Sequence, residues 1–301
     1  MASVTTSIPG QPGRPKLPRW RRLIARRTLS RLPTLAILTV VGLIMLFPTV
    51  WVLSTAFNNN GGIATGNLLP TKPSLYNFRE ILNVVSSGEP VLRWLLNSIG
   101  VSIVAAIGVA LIDSLAAFAL ARLQFRGSKV VFYVVVSSLM VPFIAVLLPQ
   151  YLWFHWLGLL NSYGALILPY TANAFGVFLL YQFFLGIPRE LQEATTVDGA
   201  GPFVMWYRLF VPLSIGITAT LALLTFMGVY NDYFWPLIAT STPNMRTVTV
   251  GLEIVAIGQY QTNFGALMAL TVISVIPMLV VFAFAQRRLV EGIAMSGLAG
   301  V

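Results

Sequence analysis

With 301 residues, 57% of them hydrophobic and only 9% charged, the chain is neither a disordered segment nor an ordinary soluble domain, which carries about 25% charged residues. A mean hydropathy of +0.82, with 19 Phe and 7 Trp, calls for an apolar solvent around much of the surface and so for an all-α polytopic membrane protein. Cysteine is absent and His155 is the single histidine, which excludes disulfides, thiol chemistry and any two-His metal box; no metal or cofactor is expected.

Residues 1–32 form a basic N-terminal tail, rich in Pro, Gly, Ser and Thr over 1–18 and without hydrophobic period, as mobile tails are. Six apolar stretches follow, at 33–57, 95–121, 130–150, 163–185, 206–228 and 263–287, each near the 20 residues a bilayer core demands. The first is longer than the core of a secretory signal and lacks a small-residue cleavage pattern, so it reads as an uncleaved span. Between the first two spans, residues 58–93 carry NNNGG, two Lys/Pro turns and the amphipathic YNFREIL, a folded excursion with one short helix. Residues 229–262 are too polar and Pro-interrupted to cross cleanly, and their aromatic start, Tyr230, Tyr233, Phe234 and Trp235, suits an interfacial belt. Residues 291–301 close the chain as a second tail.

With the N-terminus placed inside, fifteen of the 19 basic residues fall on inside segments, among them Arg122, Arg126, Lys129, Arg189 and Arg208. Only Lys72, Arg79, Arg93 and Arg246 fall outside. That asymmetry puts both termini in the cytoplasm and accounts for the formal charge of +10 without a nucleic-acid partner. No inverted repeat is evident, against a secondary transporter built of mirrored halves. Phosphate-loop, zincin and nucleophile-elbow motifs are absent too, so the chain is not expected to be an enzyme.

The loop over 186–205 carries the strongest local signal. Pro188 suits a first helical position, Glu190 and Glu193 put negative charge near the positive end of the helix dipole, and Gly199 can supply a left-handed stop. The pattern predicts a helix over about 188–198, a turn at Gly199, Ala200 and Gly201, and a second helix opened by Pro202. Leu191, Ala194, Thr195 and Asp198 then share one side.

The stretch ELQEATTVDGAGPFVMWYRLFVPLS resembles the EAA loop of bacterial ABC importer permeases. Glu193 and Ala194 match its first two positions, Thr195 replaces the second alanine, Gly199 falls at the expected glycine and Pro212 closes the motif. Three further stretches, RGSKVVFYVVVSSLMVPFIAVLLPQYLWFHWLGLLNSYGALILPY, YNDYFWPLI and QRRLVEGIAMSGLAG, are similar in the same order to carbohydrate-uptake permeases related to the maltose permease. Tyr230 stands there in place of a tryptophan, and the terminal lysine is missing. The resemblance implies a type I ABC importer permease domain over 33–290 in a bacterial inner membrane. It also implies a second related permease, two ATP-binding subunits that hold the ATPase activity, and an extracytoplasmic sugar-binding protein. The loop helix, with Glu193, Ala194, Thr195, Asp198, Gly199 and Pro212, would couple ATPase closure to alternating access.

A sugar path needs hydrogen-bonding side chains and aromatic faces at the midplane. Asn97, Asn173, Tyr181, Gln182, Tyr230, Asn231 and Asp232 are the candidates, Asn173 foremost; each could instead bond helices to one another. Asp113, a carboxylate inside an apolar run, faces a water-filled cavity or a partner, or bonds a neighbour such as Ser114. A proton-coupled secondary transporter using Asp113 is the alternative function. His155 reads as an interfacial residue rather than a ligand.

Overall fold

The computed structural model describes residues 32–58, 73–84, 90–123, 125–257 and 264–298, the side chains of the last stretch as far as 284. The N-terminal tail, Lys72 and the side chains of Arg287 and Arg288 lie outside the described residues. The chain falls into two units, residues 1–51 and 52–301. Helix α1, Leu32–Ala56, begins in the first and is apolar around its whole circumference, as a lipid-facing span is.

The second unit is organised on α3, Val91–Arg122, preceded by the short α2, Tyr76–Val84. One stripe of α3 is lined with small residues, Ser98, Ser102, Ala105, Ala106, Ala117 and Ala121, all buried. Small side chains let membrane helices approach closely where no hydrophobic drive exists between them. Two helices use that stripe: α7, Ala174–Leu185, and α10, Val211–Asn231. Val109, Phe118, Leu180, Phe184, Phe210 and Leu221 interlock in the resulting core.

The third expected span is not one helix. Helix α4, Ser128–Ser137, tightens into a 3₁₀ turn at Ser138–Met140, and α5, Phe143–Trp156, leaves at an angle of 105°. Pro142 is the cause, since the residue before a proline is driven out of the helical region and Val141 is extended at φ −82°, ψ 118°. The Ser137 and Ser138 hydroxyls bond back to the carbonyls of Val134 and Val135 and loosen the last turn further. The fourth span is broken likewise: α6, Tyr163–Ile167, and a 3₁₀ turn at Leu168–Tyr170 precede the extended Asn173, from which α7 starts.

The two ends of α3 identify two faces. At its start, Asn97 accepts from the Tyr163 hydroxyl (2.8 Å) and donates to the carbonyls of Asn244 and Arg246 (both 2.9 Å). Its neighbour Ser98 accepts from the Val248 amide (2.8 Å). At its end, the Arg122 guanidinium donates to the carbonyls of Phe184 and Ile187 and lies 5.3 Å from the Phe210 ring centre. The bent pair α4–α5 therefore carries the chain from the Arg122 face to the Asn97 face and counts as one crossing. Among the described residues six segments are then long and apolar enough to cross a membrane, with Arg122, Arg126, Lys129, Arg189 and Arg208 toward one end of the second unit and Arg79, Arg93 and Arg246 toward the other.

The expected aromatic belt at 230–235 is corrected by packing. Trp235 is fully buried, its indole donating to the Ala165 carbonyl (2.8 Å), and the buried Tyr230 donates to the carbonyl of Ser274 (2.7 Å). These rings anchor the short α11, Phe234–Ala239, and α10 to neighbouring helices, and of the four expected belt residues Phe234 is the most plainly exposed, at 57%. Beyond them α12, Val248–Ile257, packs on Trp94, and α13, Phe264–Leu298, continues past position 290.

Candidate functional site

Two features stand apart from ordinary span packing, one at the Arg122 face and one at mid-depth. The first is α8, Arg189–Val197, which buries none of its nine residues. Pro188 precedes it in an extended conformation, one position earlier than its expected place as first helical residue. The C-terminal stop is a Schellman motif: Gly199 is left-handed at φ 79°, its amide donates to the Thr196 carbonyl (3.0 Å) and the Ala200 amide to that of Thr195 (3.2 Å). Glu193, Ala194 and Asp198 are exposed, and Thr195 returns its hydroxyl to the Leu191 carbonyl (2.7 Å). A threonine in the second alanine position therefore adds no free donor to the outer surface. A cleft of about 450 Å³ separates this helix from the end of α3, lined by Arg122, Arg189, Gln192, Glu193 and Thr196.

The chain re-enters through α9, Pro202–Met205, and a π-helical turn at Trp206–Phe210. Pro212 explains that turn. Lacking an N–H, it cannot bond the carbonyl four residues back, and the Val211 amide instead reaches five residues back to Trp206. The fifth span accordingly runs unbroken over Pro202–Asn231, four residues longer at its start than the hydropathy pattern suggests.

The second feature is a groove of about 510 Å³ where the two broken spans meet α10. Tyr170, Asn173 and Phe175 line it from the fourth span, Ser138 and Phe143 from the third, Thr225 from α10. Asn173 caps α7, its Oδ1 accepting from the Phe175 amide (2.9 Å). Asp113 lies behind it, fully buried on α3, and its Oδ1 accepts from the Asn173 backbone amide (3.0 Å). Ser114 is not its partner, because that hydroxyl bonds the Leu111 carbonyl (3.0 Å). A Cβ on Gly176 would collide with the Asp113 carboxylate, so a glycine is required for this approach.

Of the other sequence candidates, Asp232 reaches the groove indirectly, by accepting from the Tyr170 hydroxyl and the Phe234 amide (3.1 Å). Asn97 and Tyr230 are buried and committed to the inter-helix bonds described above. Asn231 bonds its own helix at the Met227 carbonyl (2.9 Å). The Tyr181 ring stacks on Phe132 at 4.0 Å between centres, and Gln182 is exposed beside it, both toward the far end of α7 from Asn173. Tyr170, Thr225 and Arg122 were not singled out by sequence. The prolines at 142 and 169 were the available signal, since paired breaks at matching depth expose side chains and backbone to a shared cavity. Among the described residues no group of His, Asp and Glu could hold a metal ion.

Six crossings, two of them broken around a common groove, and an exposed amphipathic helix between the fourth and fifth define a multi-pass membrane permease. Residues 114–294 match the binding-protein-dependent transport system inner membrane component family, and the chain belongs to it. It is 30% identical over 262 residues to the diacetylchitobiose uptake system permease protein NgcG of Streptomyces coelicolor, covering 86% of each chain. It is 32% identical to the sn-glycerol-3-phosphate transport system permease protein UgpE of Brucella abortus, covering 90% of this chain and 98% of that one. The fold matches a chain of a bacterial ABC transporter that imports the acidic polysaccharide alginate, with a TM-score of 0.77 at 21% identity over 91% of this chain and 99% of the other.

Proposed function

We propose that this permease is one subunit of an ATP-driven importer that receives a di- or oligosaccharide from an extracytoplasmic binding protein, and that α8 is its coupling helix. Pairing with a second permease and two ATP-binding subunits belongs to the same reading, as does a cytoplasmic Arg122 face with both termini on that side. The observation that carries it is α8 itself: a well-stopped amphipathic helix with no buried side chain, held beside a cleft, presents its whole surface for another chain to cover. Leu191 at 43% and Val197 at 87% exposure give that chain its apolar contact, with Glu193 and Asp198 around them. ATP-driven closure of the covering subunits would move α8 and shift the spans between inward-facing and outward-facing states. Relatives named for diacetylchitobiose uptake and arabinooligosaccharide transport support a saccharide substrate. The proton-coupled alternative built on Asp113 loses support, because that carboxylate already serves as a backbone acceptor at the start of α7.

The test is the reconstituted complex carrying Glu193→Lys or Gly199→Asp. Both variants are expected to insert normally and to lose solute-stimulated ATP hydrolysis. Normal stimulation in both would show α8 to be a plain connector.

A further inference from the structure

Another groove, of about 430 Å³, runs along the exposed side of α3 where α6 lies against it. Arg93 and Tyr163 stand at one end of it, and Leu96, Gly100, Val104 and Ile167 line it from there on. We propose that this groove holds an anionic phospholipid, its phosphate on Arg93 and Tyr163 and one acyl chain laid over Gly100 toward Val104.

Depth comes first. Arg93 and Arg122 are about 43 Å apart along the axis of α3 at 1.5 Å per residue, which matches a bilayer with both headgroup layers, about 40–45 Å. Arg93 therefore stands at the level of the lipid phosphates on the Asn97 face. Gly100 lies about 10 Å deeper along the helix and Val104 about 16 Å deeper, among the acyl chains of that leaflet. A guanidinium at the head of an apolar groove repeats the order of a phosphate followed by a hydrocarbon tail.

The guanidinium is also held in position. Buried Asn97 gives its amide protons to the carbonyls of Asn244 and Arg246 and accepts the proton of the Tyr163 hydroxyl (2.8 Å). With its proton committed, that hydroxyl can only accept from Arg93, at a long 3.4 Å. The exposed Arg93 side chain is thus steadied at one corner of its fork while the rest lines the groove. A planar fork suits the paired oxygens of a phosphodiester, and a lipid without an ammonium of its own leaves those oxygens unmatched.

Gly100 supplies the notch for the tail. A Cβ there would meet nothing within 4 Å, so the chain itself has no packing use for a glycine that weakens the helix interior. A second helix would need a run of small side chains to come within about 8–10 Å between axes. Leu96, Ile103, Val104 and Ile107, all exposed, surround this single glycine instead. The gap is wide enough for a file of methylenes and too narrow for a helix.

The test is binding of phosphatidylglycerol to the full-length permease, delipidated in detergent and read by native mass spectrometry. The first phosphatidylglycerol should bind at least about fivefold more tightly than phosphatidylcholine, a preference for the lipid with no internal counter-charge. Millimolar inorganic phosphate should not displace it, because the tail is part of the contact. Arg93→Gln removes the fork and Gly100→Leu fills the notch, both at exposed positions where the fold is unharmed. Each should weaken that first binding step about tenfold, and Arg93→Lys should recover only part of the loss. Undiminished binding in either variant, no preference between the two lipids, or displacement by phosphate overturns the inference. In whole membranes, Leu96→benzoylphenylalanine should photolabel a phospholipid; a crosslink to a second polypeptide would give the groove to a protein partner and overturn the lipid assignment.

Discussion

Gly176 and Asp113 form the tightest approach between α3 and α7, and a double-mutant cycle measures it. Gly176→Ala places a methyl group against the carboxylate and 2.9 Å from a Leu221 methyl carbon, closer than real side-chain carbons pack. Overpacking of this kind costs about 1–3 kcal/mol, offset by about 1 kcal/mol of helix propensity. Because the carboxylate must yield, the Asn173 amide also loses its acceptor, a charge-assisted bond worth about 1.5–3 kcal/mol. Asp113→Ala costs the same bond but removes the carboxylate that the new methyl would strike, leaving only the Leu221 contact. In that background Gly176→Ala should cost markedly less, so the two changes couple by about 2 kcal/mol. Thermal unfolding of the four variants in mild detergent supplies the numbers. Equal cost of Gly176→Ala in both backgrounds, within about 0.5 kcal/mol, would refute the contact and with it the placement of Asp113 behind the groove.

At the opposite face, Gly251→Ala drives a Cβ into the Trp94 ring and should cost about 1–3 kcal/mol in the same assay; an unchanged melting temperature would refute that approach. Arg122→Gln withdraws the guanidinium from two carbonyls and the Phe210 ring and should destabilise by about 2–4 kcal/mol. Arg122→Lys should restore less than half of that, since a single ammonium cannot match a planar fork, and full rescue would argue against the paired geometry. Pro212→Ala returns an N–H to the helix and should let the π turn relax to α, rotating residues 202–210 by about 100° against the span. Labelling rates of a cysteine at Tyr207, now 63% exposed, should fall; an unaltered rate would separate the π turn from the proline.

Much of this architecture is written locally in the sequence. Hydropathy locates the spans because lipid tolerates only internally bonded helices, and Pro188, Gly199 and Pro202 give the loop helix nearly to the residue because caps and stops are nearest-neighbour chemistry. Long-range pairing is less legible. YNDYFWPLI presents interfacial residues by composition, yet Trp235 is held by a carbonyl 70 positions away and is wholly buried. Asp113 and Ser114 are adjacent in sequence but point to different partners, and no periodicity announces that a carboxylate caps a helix 60 residues downstream. The third span read as continuous because Pro142 sits inside an unbroken apolar run, where hydropathy is blind to the backbone donor that a proline lacks. Thr225 is illegible for a similar reason: a threonine in a membrane helix ordinarily bonds its own backbone, and only the fold shows that this one does not.

Two of the three charged residues of α3, Asp113 and Arg122, become intelligible together. Helices α3 and α7 run parallel, and α3 presents a carboxylate to the start of α7 and a guanidinium to its end. Each charge faces the helix terminus of opposite partial charge, an arrangement worth up to about 2 kcal/mol per end where partly buried. Helix α7, 12 residues and about 18 Å long, is thereby clamped at both termini to one partner. The lower clamp includes Ile187, two residues before α8, and the upper one includes Asn173 in the groove wall. Force applied to α8 therefore reaches the groove as movement of α3 and α7 as one body, since neither end of α7 is free to hinge against α3. The Thr171–Asn173 break and the Val141–Pro142 corner, both of which border the groove, carry no such clamp and are the places where bending would fall. On the proposed reading, the helix breaks that border the groove would also be the joints at which it changes shape.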